Sequence, residues 1–514
     1  MAERHVVVIG AGMGGLAAAL DLARQGARVT VLERAAAPGG KMREVMVAGR
    51  PVDSGPTVFT MRWVLEALFA EAGVDFGALV PTEPLDVLAR HAWRDGARLD
   101  LHADRGASEE AIGAFAGAAE ARGYRDFIVR AGEIYRTLED SFMTDELPSP
   151  IGLARRVGVR GLPGLMRISP FATLWDELGR HFRDGRLRQL FGRYATYCGA
   201  SPFAAPATLM LIAHVEQEGV WAVQGGMHRI ARALAGAVSH HGGIFRYGVD
   251  VAAILERSGR ACGVRLASGE AIEADAVIAN VDHAALREGR FGDGAASATA
   301  GEAPPRSLSA VTWSLAAKAE GFPLLHHNVF FSEDYRSEFD QIVGQARLPD
   351  DPTIYVCAQD RGAGGVPAPD AAERFLVLVN APATGDRGAP SPSEIAQCEE
   401  RTFGLLARAG LSLSTVERVV TTPATFHAMF PATGGALYGR ALHGWAASFQ
   451  RPGARTRLPG LFLAGGSIHP GPGVPMAALS GRIAAAAAAE HLRLRSGSTR
   501  GFGRAGISGG ISTG

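Results

Sequence analysis

From His5 to Gly15 the sequence reads HVVVIGAGMGG, and this stretch decides the fold of the chain. Its first five residues are mostly β-branched, which predicts a short buried strand of a parallel sheet. The strand continues directly into a G-x-G-x-x-G motif. Residues 15–25 then supply alanines and leucines, which favour a helix that ends at Gly26. A strand, a glycine-rich turn and a helix in this order predict the start of a βαβ unit.

A second strand and an acidic residue complete the unit. Residues 28–32, RVTVL, predict that strand, and Glu33 follows at its end. In such a unit Gly10 permits the tight turn, Gly12 lets a pyrophosphate approach the backbone, and Gly15 lets the helix pack closely on the strand. Glu33 is placed to accept hydrogen bonds from a ribose. The sequence therefore predicts a dinucleotide site, with a glycine-rich turn in an ordinary α/β unit as the alternative.

The loop after the acid continues the pattern. Arg34 is followed by Gly39-Gly40 and Lys41, and then by residues 53–57, which read DSGPT. A Gly-Gly loop can pass close to a bound cofactor, and Lys41 or Arg43 can neutralise a diphosphate. A solvated basic loop is the alternative.

A second glycine-rich motif lies near the other end of the chain. Residues 460–466, GLFLAGG, predict a strand that ends in glycines, and residues 467–476 predict a rigid turn. Residues 477–492 are rich in alanine and predict a helix. Pro475 lies where this helix starts, a position that tolerates proline. If a flavin ring lies at this turn, the positive end of the helix would favour the anionic reduced ring.

Composition excludes several classes of protein. Lys+Arg and Asp+Glu both number 52, so no excess of positive charge indicates a nucleic-acid partner. Four separate cysteines predict neither a metal site nor a disulfide framework. No signal peptide is evident, and no apolar run approaches the ~20 residues of a membrane span. We therefore expect a cytoplasmic protein, with peripheral membrane contact left open. The cysteines are Cys198, Cys262, Cys357 and Cys398.

The pattern of strands, helices and loops predicts an α/β protein with a discontinuous Rossmann-like domain and an inserted substrate domain of sheet plus helices. Within the Rossmann-like domain, residues 245–254 and 261–266 are predicted as strands of a β-meander. The predicted ranges are 1–90, 218–300 and 423–494 for the dinucleotide-binding domain, 91–217 for a helical substrate- or membrane-facing region, 301–422 for a sheet-rich substrate domain and 495–514 for a disordered tail.

Residues 148–193 combine nine arginines with interleaved apolar residues, against two aspartates and one glutamate. Basic side chains beside exposed apolar ones suit a helix at an anionic membrane surface. A solvated face over a core is an equally weighted alternative.

Over residues 5–492 the chain resembles the bacterial carotenoid desaturases of the phytoene desaturase type. The likeness is carried by GAGMGG at 10–15, PGGK at 38–41, DSGPT at 53–57 and HPGPGVP at 469–475. Within that family it is most similar to the 1-hydroxycarotenoid 3,4-desaturases, or methoxyneurosporene dehydrogenases, of purple photosynthetic bacteria. The resemblance implies a glutathione-reductase-like domain that binds FAD.

The resemblance also implies contacts to FAD. It places Val251 over the adenine through backbone bonds. At one position the chain departs from the wider flavoprotein pattern, because an acid that binds the ribityl chain is replaced by Gly466-Ser467. Backbone N–H groups can substitute there. The residues predicted to bind the cofactor are Gly10, Gly12, Gly14, Gly15, Glu33, Arg34, Gly40, Lys41, Gly55, Pro56, Thr57, Val251, Gly465, Gly466, Gly473, Val474 and Pro475.

The activity implied is removal of two hydrogens from a C–C bond of an apolar polyene, in a long apolar tunnel. By resemblance this is C-3,4 desaturation of a 1-hydroxy- or methoxyneurosporene-type carotenoid in spheroidene or spirilloxanthin biosynthesis. The terminal acceptor would be oxygen, a quinone or another carrier. No catalytic residue is predicted, since no nucleophile triad, carboxylate pair or metal cluster is evident. His469 could handle a proton, but a structural role in its turn is favoured.

Four alternatives stay open. Two are a phytoene desaturase and a redox-neutral carotenoid isomerase. A third is a flavin amine oxidase, in which a lysine often meets the flavin; here Lys41 and Lys318 are the sole lysines. The fourth is a non-catalytic carotenoid- or membrane-binding protein that retains FAD structurally.

Overall fold

The structure is a computed structural model that describes residues 4–139, 172–362, 371–444 and 447–493, with Met143, Glu146 and Ala368. Its strands form three larger sheets and two short antiparallel pairs, β3-β4 and β5-β8. In chain order they are β1 His5–Ile9, β2 Arg28–Glu33, β3 Glu44–Val47, β4 Arg50–Asp53, β5 Thr82–Pro84, β6 Val87–Ala92, β7 Arg98–His102, β8 Trp221–Val223, β9 Ile244–Tyr247, β10 Val251–Arg257, β11 Arg260–Leu266, β12 Ala271–Glu273, β13 Ala276–Ala279, β14 Ser309–Glu320, β15 His327–Phe330, β16 Ile354–Ala358, β17 Glu373–Ala381, β18 Ser412–Thr421 and β19 Leu461–Leu463.

The helices pack on these sheets and on one another. In chain order they are α1 Met13–Arg24, α2 Arg62–Glu71, α3 Phe76–Leu79, α4 Arg105–Ala116, α5 Ala118–Leu138, α6 Leu174–His181, α7 Gly185–Gly192, α8 Leu211–Gln217, α9 His228–His240, α10 His283–Arg287, α11 Asp293–Ala298, α12 Tyr335–Phe339, α13 Pro392–Arg408, α14 Pro423–Met429 and α15 Val474–Leu492.

A five-stranded parallel sheet, in the order β19-β13-β1-β2-β9, carries the glycine-rich motifs. Every residue of β1 is buried, as its β-branched run predicts, because helices cover one face of the sheet and the strands β10 and β11 pack on the other. Helices α1 and α15 pack closely on one face, and a Cβ at Gly481 would lie 2.0 Å from the Gly14 carbonyl oxygen. A buried ion pair also joins these helices, with Arg482 Nε 3.1 Å from Asp21 Oδ2.

One strand of this sheet corrects the sequence prediction. Residues 245–254 are not one strand of a meander, because Gly248 adopts a φ of +68° and divides them. The first half becomes β9, which pairs in parallel with β2 at the sheet edge. The second half becomes β10, which begins the antiparallel meander β10-β11-β12.

A seven-stranded sheet in the order β18-β14-β17-β16-β15-β6-β7 forms the other domain. Its strands β6 and β7 come from residues 87–102, and β6 pairs in parallel with β15. The domain boundary predicted at residue 90 therefore falls inside β6. The buried face of the sheet packs against α13 through residues such as Trp313, Phe375 and Leu406.

The helices α4 to α8 pack together around aromatic side chains, with Phe127, Phe182 and Phe191 at the centre. In the basic stretch, residues 148–171 lie outside the described part of the chain, as does the predicted tail. Of the arginines that are described in this stretch, Arg180 pairs with Glu177 and Arg186 with Asp184, both at 2.7 Å. Among the described residues no helix is long and apolar enough to cross a membrane.

Candidate active site

The carboxyl ends of β1, β2, β13 and β19 open into a cavity of about 630 Å³, which we call the glycine-lined cavity. An open parallel sheet binds its ligand outside the carboxyl ends of its strands, in the crevice that forms where the strand order reverses. Three glycine segments form its walls. They are Gly10–Gly14, Gly39–Gly40 and Gly465–Gly466.

Two of these segments touch so closely that a larger residue would not fit. A Cβ at Gly14 would lie 2.7 Å from Gly465 N and 2.9 Å from Asn280 Oδ1. A Cβ at Gly15 would lie 2.1 Å from the Gly10 carbonyl oxygen, so Gly15 serves the packing of α1 on β1 and does not line the cavity. The sequence motif therefore brings two backbone loops into contact beside the cavity.

Two helices begin at the cavity without a side-chain cap. The N-cap residues are Gly12 for α1 and Gly473 for α15, and neither helix start receives a side-chain hydrogen bond. The first N–H groups of both helices are free to bind an anion or a carbonyl oxygen. Glu33 lies at the end of β2, where its carboxylate accepts from Ala11 N at 2.6 Å and from Ala35 N at 2.8 Å. Each oxygen retains a lone pair for a ligand hydroxyl.

Two buried polar atoms at this cavity have no partner among the described residues: Asp282 Oδ2 and Thr312 Oγ1. A buried acceptor without a partner costs about 1–3 kcal/mol, so a ligand with hydroxyl or N–H groups fits here. Asp282 Oδ1 is already used, since it caps α10 through Ala284 N at 3.0 Å. These unpartnered oxygens therefore fit the hydroxyl and N–H groups of a polar dinucleotide that lies along the glycines.

The cations near the cavity are held by backbone carbonyls. Lys41 Nζ donates to Leu437 O at 2.7 Å, and Arg34 donates to the carbonyls of Ala428 and Met429. Burial lowers the pKa of Lys41, and the nearby Asp282 opposes that shift. Lys41 lines the cavity and uses one of its three donors on the protein, and its role toward a diphosphate stays a prediction.

A second cavity of about 630 Å³, which we call the apolar cavity, adjoins the first. Leucine, isoleucine, valine, methionine and proline side chains form most of its wall. The residues that line both cavities are Gly55, Pro56, Leu376, Leu378, Tyr438, Pro472, Gly473 and Val474. A planar ring at this junction would present one edge to each cavity. Arg451 stabilises the junction, because its guanidinium donates to Tyr438 O and Gly466 O, both at 3.1 Å. Burial lowers the pKa of Arg451 to about 10.

A largely buried group of charged and polar side chains lies in the wall of the apolar cavity. Arg193, Tyr197 and Glu216 form what we call the arginine cluster. Tyr197 donates to Glu216 Oε1 at 2.8 Å, and Arg193 donates to Tyr197 and, at 3.4 Å, to Glu216 Oε2. Burial alone would lower the pKa of Arg193, but Tyr197 and Glu216 raise it by more, so the guanidinium stays charged. In the sequence Arg193 was grouped with the basic surface stretch; the structure buries it.

The histidines have structural partners. His469 is buried, its N–H donates to Pro452 O at 2.9 Å, and it lines neither cavity. The ligand atoms of His326, His327 and Cys357 lie within 4.8 Å of one another, a grouping that the sequence did not predict. Burial lowers the pKa of both imidazoles and raises that of the Cys357 thiol to about 12, so the three groups are neutral.

Most of the predicted cofactor residues meet at one place. Thr57 and Pro475 line the apolar cavity instead, and Gly15 lines neither. Sequence reasoning missed Asn280, Asp282 and Arg290, although the first two follow directly after a buried strand, which is the expected signal. The predicted residues that line the glycine-lined cavity are Gly10, Gly12, Gly14, Glu33, Arg34, Gly40, Lys41, Gly55, Pro56, Val251, Gly465, Gly466, Gly473 and Val474.

This arrangement has counterparts among known proteins. The model of the flavin-containing amine oxidoreductase family matches residues 13–489, and the chain belongs to that family. It is an FAD-dependent oxidoreductase, which confirms the predicted cofactor and enzyme class. The α/β fold is confirmed by a redesigned putrescine oxidase, with a TM-score of 0.60 at 14% identity over 96% of this chain and 99% of that one.

Within the family, the chain is 54% identical to hydroxyneurosporene desaturase of Rubrivivax gelatinosus over 513 residues, which covers 99% of this chain and 97% of that one. It is 29% identical to 1-hydroxycarotenoid 3,4-desaturase of Flavobacterium sp. (strain P99-3), over 94% and 98% of the two chains. The predicted resemblance to carotenoid desaturases is thereby confirmed.

Proposed function

We propose that the protein introduces a double bond at C-3,4 of a 1-hydroxy- or methoxyneurosporene-type carotenoid. The observation that carries this proposal is the junction of the two cavities at Gly55-Pro56 and 472–474, where an apolar chain in one cavity would meet a flavin edge in the other. The 3,4 bond and the 1-hydroxyl group are those in the names of its relatives, and the methoxy alternative comes from the resemblance stated above. A C–C bond in a polyene offers little charge to bind, so an apolar cavity suits it.

The glycine-lined cavity is proposed to hold FAD along its length. Gly10 to Gly14 and the start of α1 would face the pyrophosphate, Glu33 a ribose, and the backbone of Val251 the adenine. Gly465, Gly466, Gly473 and Val474 would face the flavin ring at the junction. Asp282 is proposed to supply the ribityl contact that Gly466-Ser467 lacks, through its unpartnered Oδ2.

When bound, FAD accepts the two hydrogens as a hydride and a proton, and a terminal acceptor such as oxygen or a quinone reoxidises it. The residues of the protein would hold the carotenoid in place and exclude water from it. Among the described residues that line both cavities, Tyr438 is the sole ionisable side chain, and burial raises its pKa to about 12. Tyr438 is therefore protonated at neutral pH, so we propose that no side chain at the junction acts as the base.

The wall of the apolar cavity argues against an amine substrate. The one carboxylate among its described residues, Glu216, already pairs with Arg193 and accepts from two tyrosines. An ammonium group would find no unpaired negative charge there, and desolvating it would be unfavourable.

The test is to incubate the protein with FAD and 1-hydroxyneurosporene in liposomes and to follow the visible spectrum and the product mass. A red shift with loss of two hydrogens supports the proposal. Turnover confined to unhydroxylated carotenes would retain a desaturase and discard this substrate. An unchanged product mass would indicate an isomerase, and peroxide formed from amines would indicate an amine oxidase.

We further propose that the protein works in the cytoplasm at the surface of the inner or intracytoplasmic membrane, from which an apolar carotenoid must enter. The support is the pattern of arginine and apolar residues in 148–193. Sedimentation with anionic but not with neutral vesicles is the expected result. Equal recovery with both would contradict an electrostatic membrane contact.

A further inference from the structure

The arginine cluster is unusual within the apolar cavity. The charged residues in the described part of its wall are Arg193, Glu216 and Arg451, each at most 5% exposed. Arg451 has an evident structural role, because its guanidinium donates to the carbonyls of Tyr438, Arg440 and Gly466. No such backbone contact accounts for Arg193 among the described residues.

An inventory of hydrogen bonds shows one buried nitrogen atom of the cluster without a partner among the described residues. Glu216 accepts from Tyr194 at 2.6 Å, from Tyr197 at 2.8 Å and from Arg193 at 3.4 Å. The Tyr197 hydroxyl both donates to Glu216 and accepts from Arg193. The Nε–H of Arg193 is buried and has no partner among the described residues. The cluster therefore presents a charged donor that its own members do not satisfy.

The cluster and the junction line the same cavity. Tyr355 lines the same cavity, and its hydroxyl lies 2.7 Å from Thr57 Oγ1. Thr57 follows Gly55-Pro56, the segment that borders both cavities. Tyr355 and Tyr197 line this cavity together. The arginine cluster and the Gly55-Pro56 segment therefore border the same space.

We infer that Arg193 donates its Nε–H to the oxygen on C-1 of the carotenoid, with Tyr197 and Glu216 holding the guanidinium in place. This inference rests on the proposed function. The oxygen on C-1 is a near neighbour of the reacting carbons C-3 and C-4, so its subsite must lie close to the junction. A hydroxyl and a methoxy oxygen both accept hydrogen bonds, so one donor serves both substituents.

A purely structural ion pair is the competing explanation. Buried Arg–Glu pairs exist that contribute no more than apolar residues of equal volume would. Such a pair would affect all substrates alike, because it would act through the shape of the protein. A hydrogen bond to the substrate oxygen acts on oxygenated substrates alone, and a buried donor left unpaired penalises the analogue that lacks the oxygen.

The experiment compares kcat/KM for 1-hydroxyneurosporene and for neurosporene, which lacks the oxygen. Arg193→Lys keeps a positive charge beside Glu216 but removes the Nε–H. We expect it to lower the ratio of the two kcat/KM values by about 10- to 100-fold, mainly through KM, since the hydrogen bond is present before reaction. Thermal unfolding and FAD content show whether the variant is folded.

A pair of tyrosine variants covers the event that Arg193→Lys does not fold. Tyr197→Phe leaves the ion pair but releases one end of the guanidinium, so a fall in the ratio of about 3- to 10-fold is expected. Tyr194→Phe is the matched control, because Tyr194 donates to the same carboxylate but does not line the cavity. Its ratio should stay within about 3-fold of wild type.

Equal losses on both substrates, or a ratio unchanged in Arg193→Lys and Tyr197→Phe, would overturn the inference and leave the proposed function standing. A wild-type protein that desaturates neither carotenoid would overturn the proposed function, and the subsite with it.

Discussion

Replacing Gly14 with alanine tests whether contact between the two glycine loops builds the cofactor site. The added Cβ would meet Gly465 N at 2.7 Å and Gly465 Cα at 2.9 Å, and these are backbone atoms that cannot rotate away. Overpacking of this kind costs about 1–3 kcal/mol, whereas alanine in a helix gains about 1 kcal/mol over glycine. We expect a net loss of up to about 2 kcal/mol in the free energy of unfolding.

The same displacement should weaken FAD binding, because Gly14 and Gly465 both line the glycine-lined cavity. Titration of the apoprotein with FAD, followed by flavin fluorescence, should show a Kd at least about 10-fold higher than wild type. Gly236→Ala is the control, since this exposed helical glycine has nothing within 4 Å of an added Cβ. It should be stabilising by about 0.5–1 kcal/mol with FAD affinity unchanged. Wild-type stability and FAD affinity in Gly14→Ala would refute the reasoning.

Two further substitutions test the cofactor site and the buried charges. Glu33→Gln should raise the Kd for FAD about 10-fold, because one of the N–H groups of Ala11 and Ala35 would then face an amide NH₂. An unchanged Kd in a fluorescence titration would contradict the role of Glu33 toward the ribose. Burial raises the pKa of Glu338 to about 7. The folded state therefore retains a proton that the unfolded chain loses near pH 4.3. The stability that this proton gives is complete below about pH 4.3 and is lost as the pH rises through about 7. Denaturant titrations at pH 5 and 8 should show wild type losing about 2–3 kcal/mol more than Glu338→Gln, and equal losses would contradict the burial argument.

The parts of the fold that follow from local pattern could be predicted from the sequence. The run of β-branched residues in β1, the glycine spacing and the alanine-rich helices each depend on neighbours within a few residues. The same holds for Glu33, whose position at a strand end fixes where its carboxylate lies. These features defined the dinucleotide-binding unit and its class of cofactor.

Features that depend on distant pairing could not be predicted in the same way. Strand β9 looked like part of a meander, because its sequence carries no information on which strand lies beside it. Likewise β6 begins within the range assigned to the dinucleotide-binding domain, yet it pairs with β15, more than two hundred residues away. The arginine cluster was missed for the same reason: Arg193 is one of nine arginines in its stretch, and burial beside Glu216 is a property of the folded chain.

The most direct test of the central claim is anaerobic mixing of the FAD-loaded protein with an equimolar amount of 1-hydroxyneurosporene. The account predicts that the flavin absorbance bleaches and that an equal quantity of product appears with two hydrogens fewer and one more conjugated double bond. Pigment that binds or isomerises while the flavin stays oxidised would contradict it.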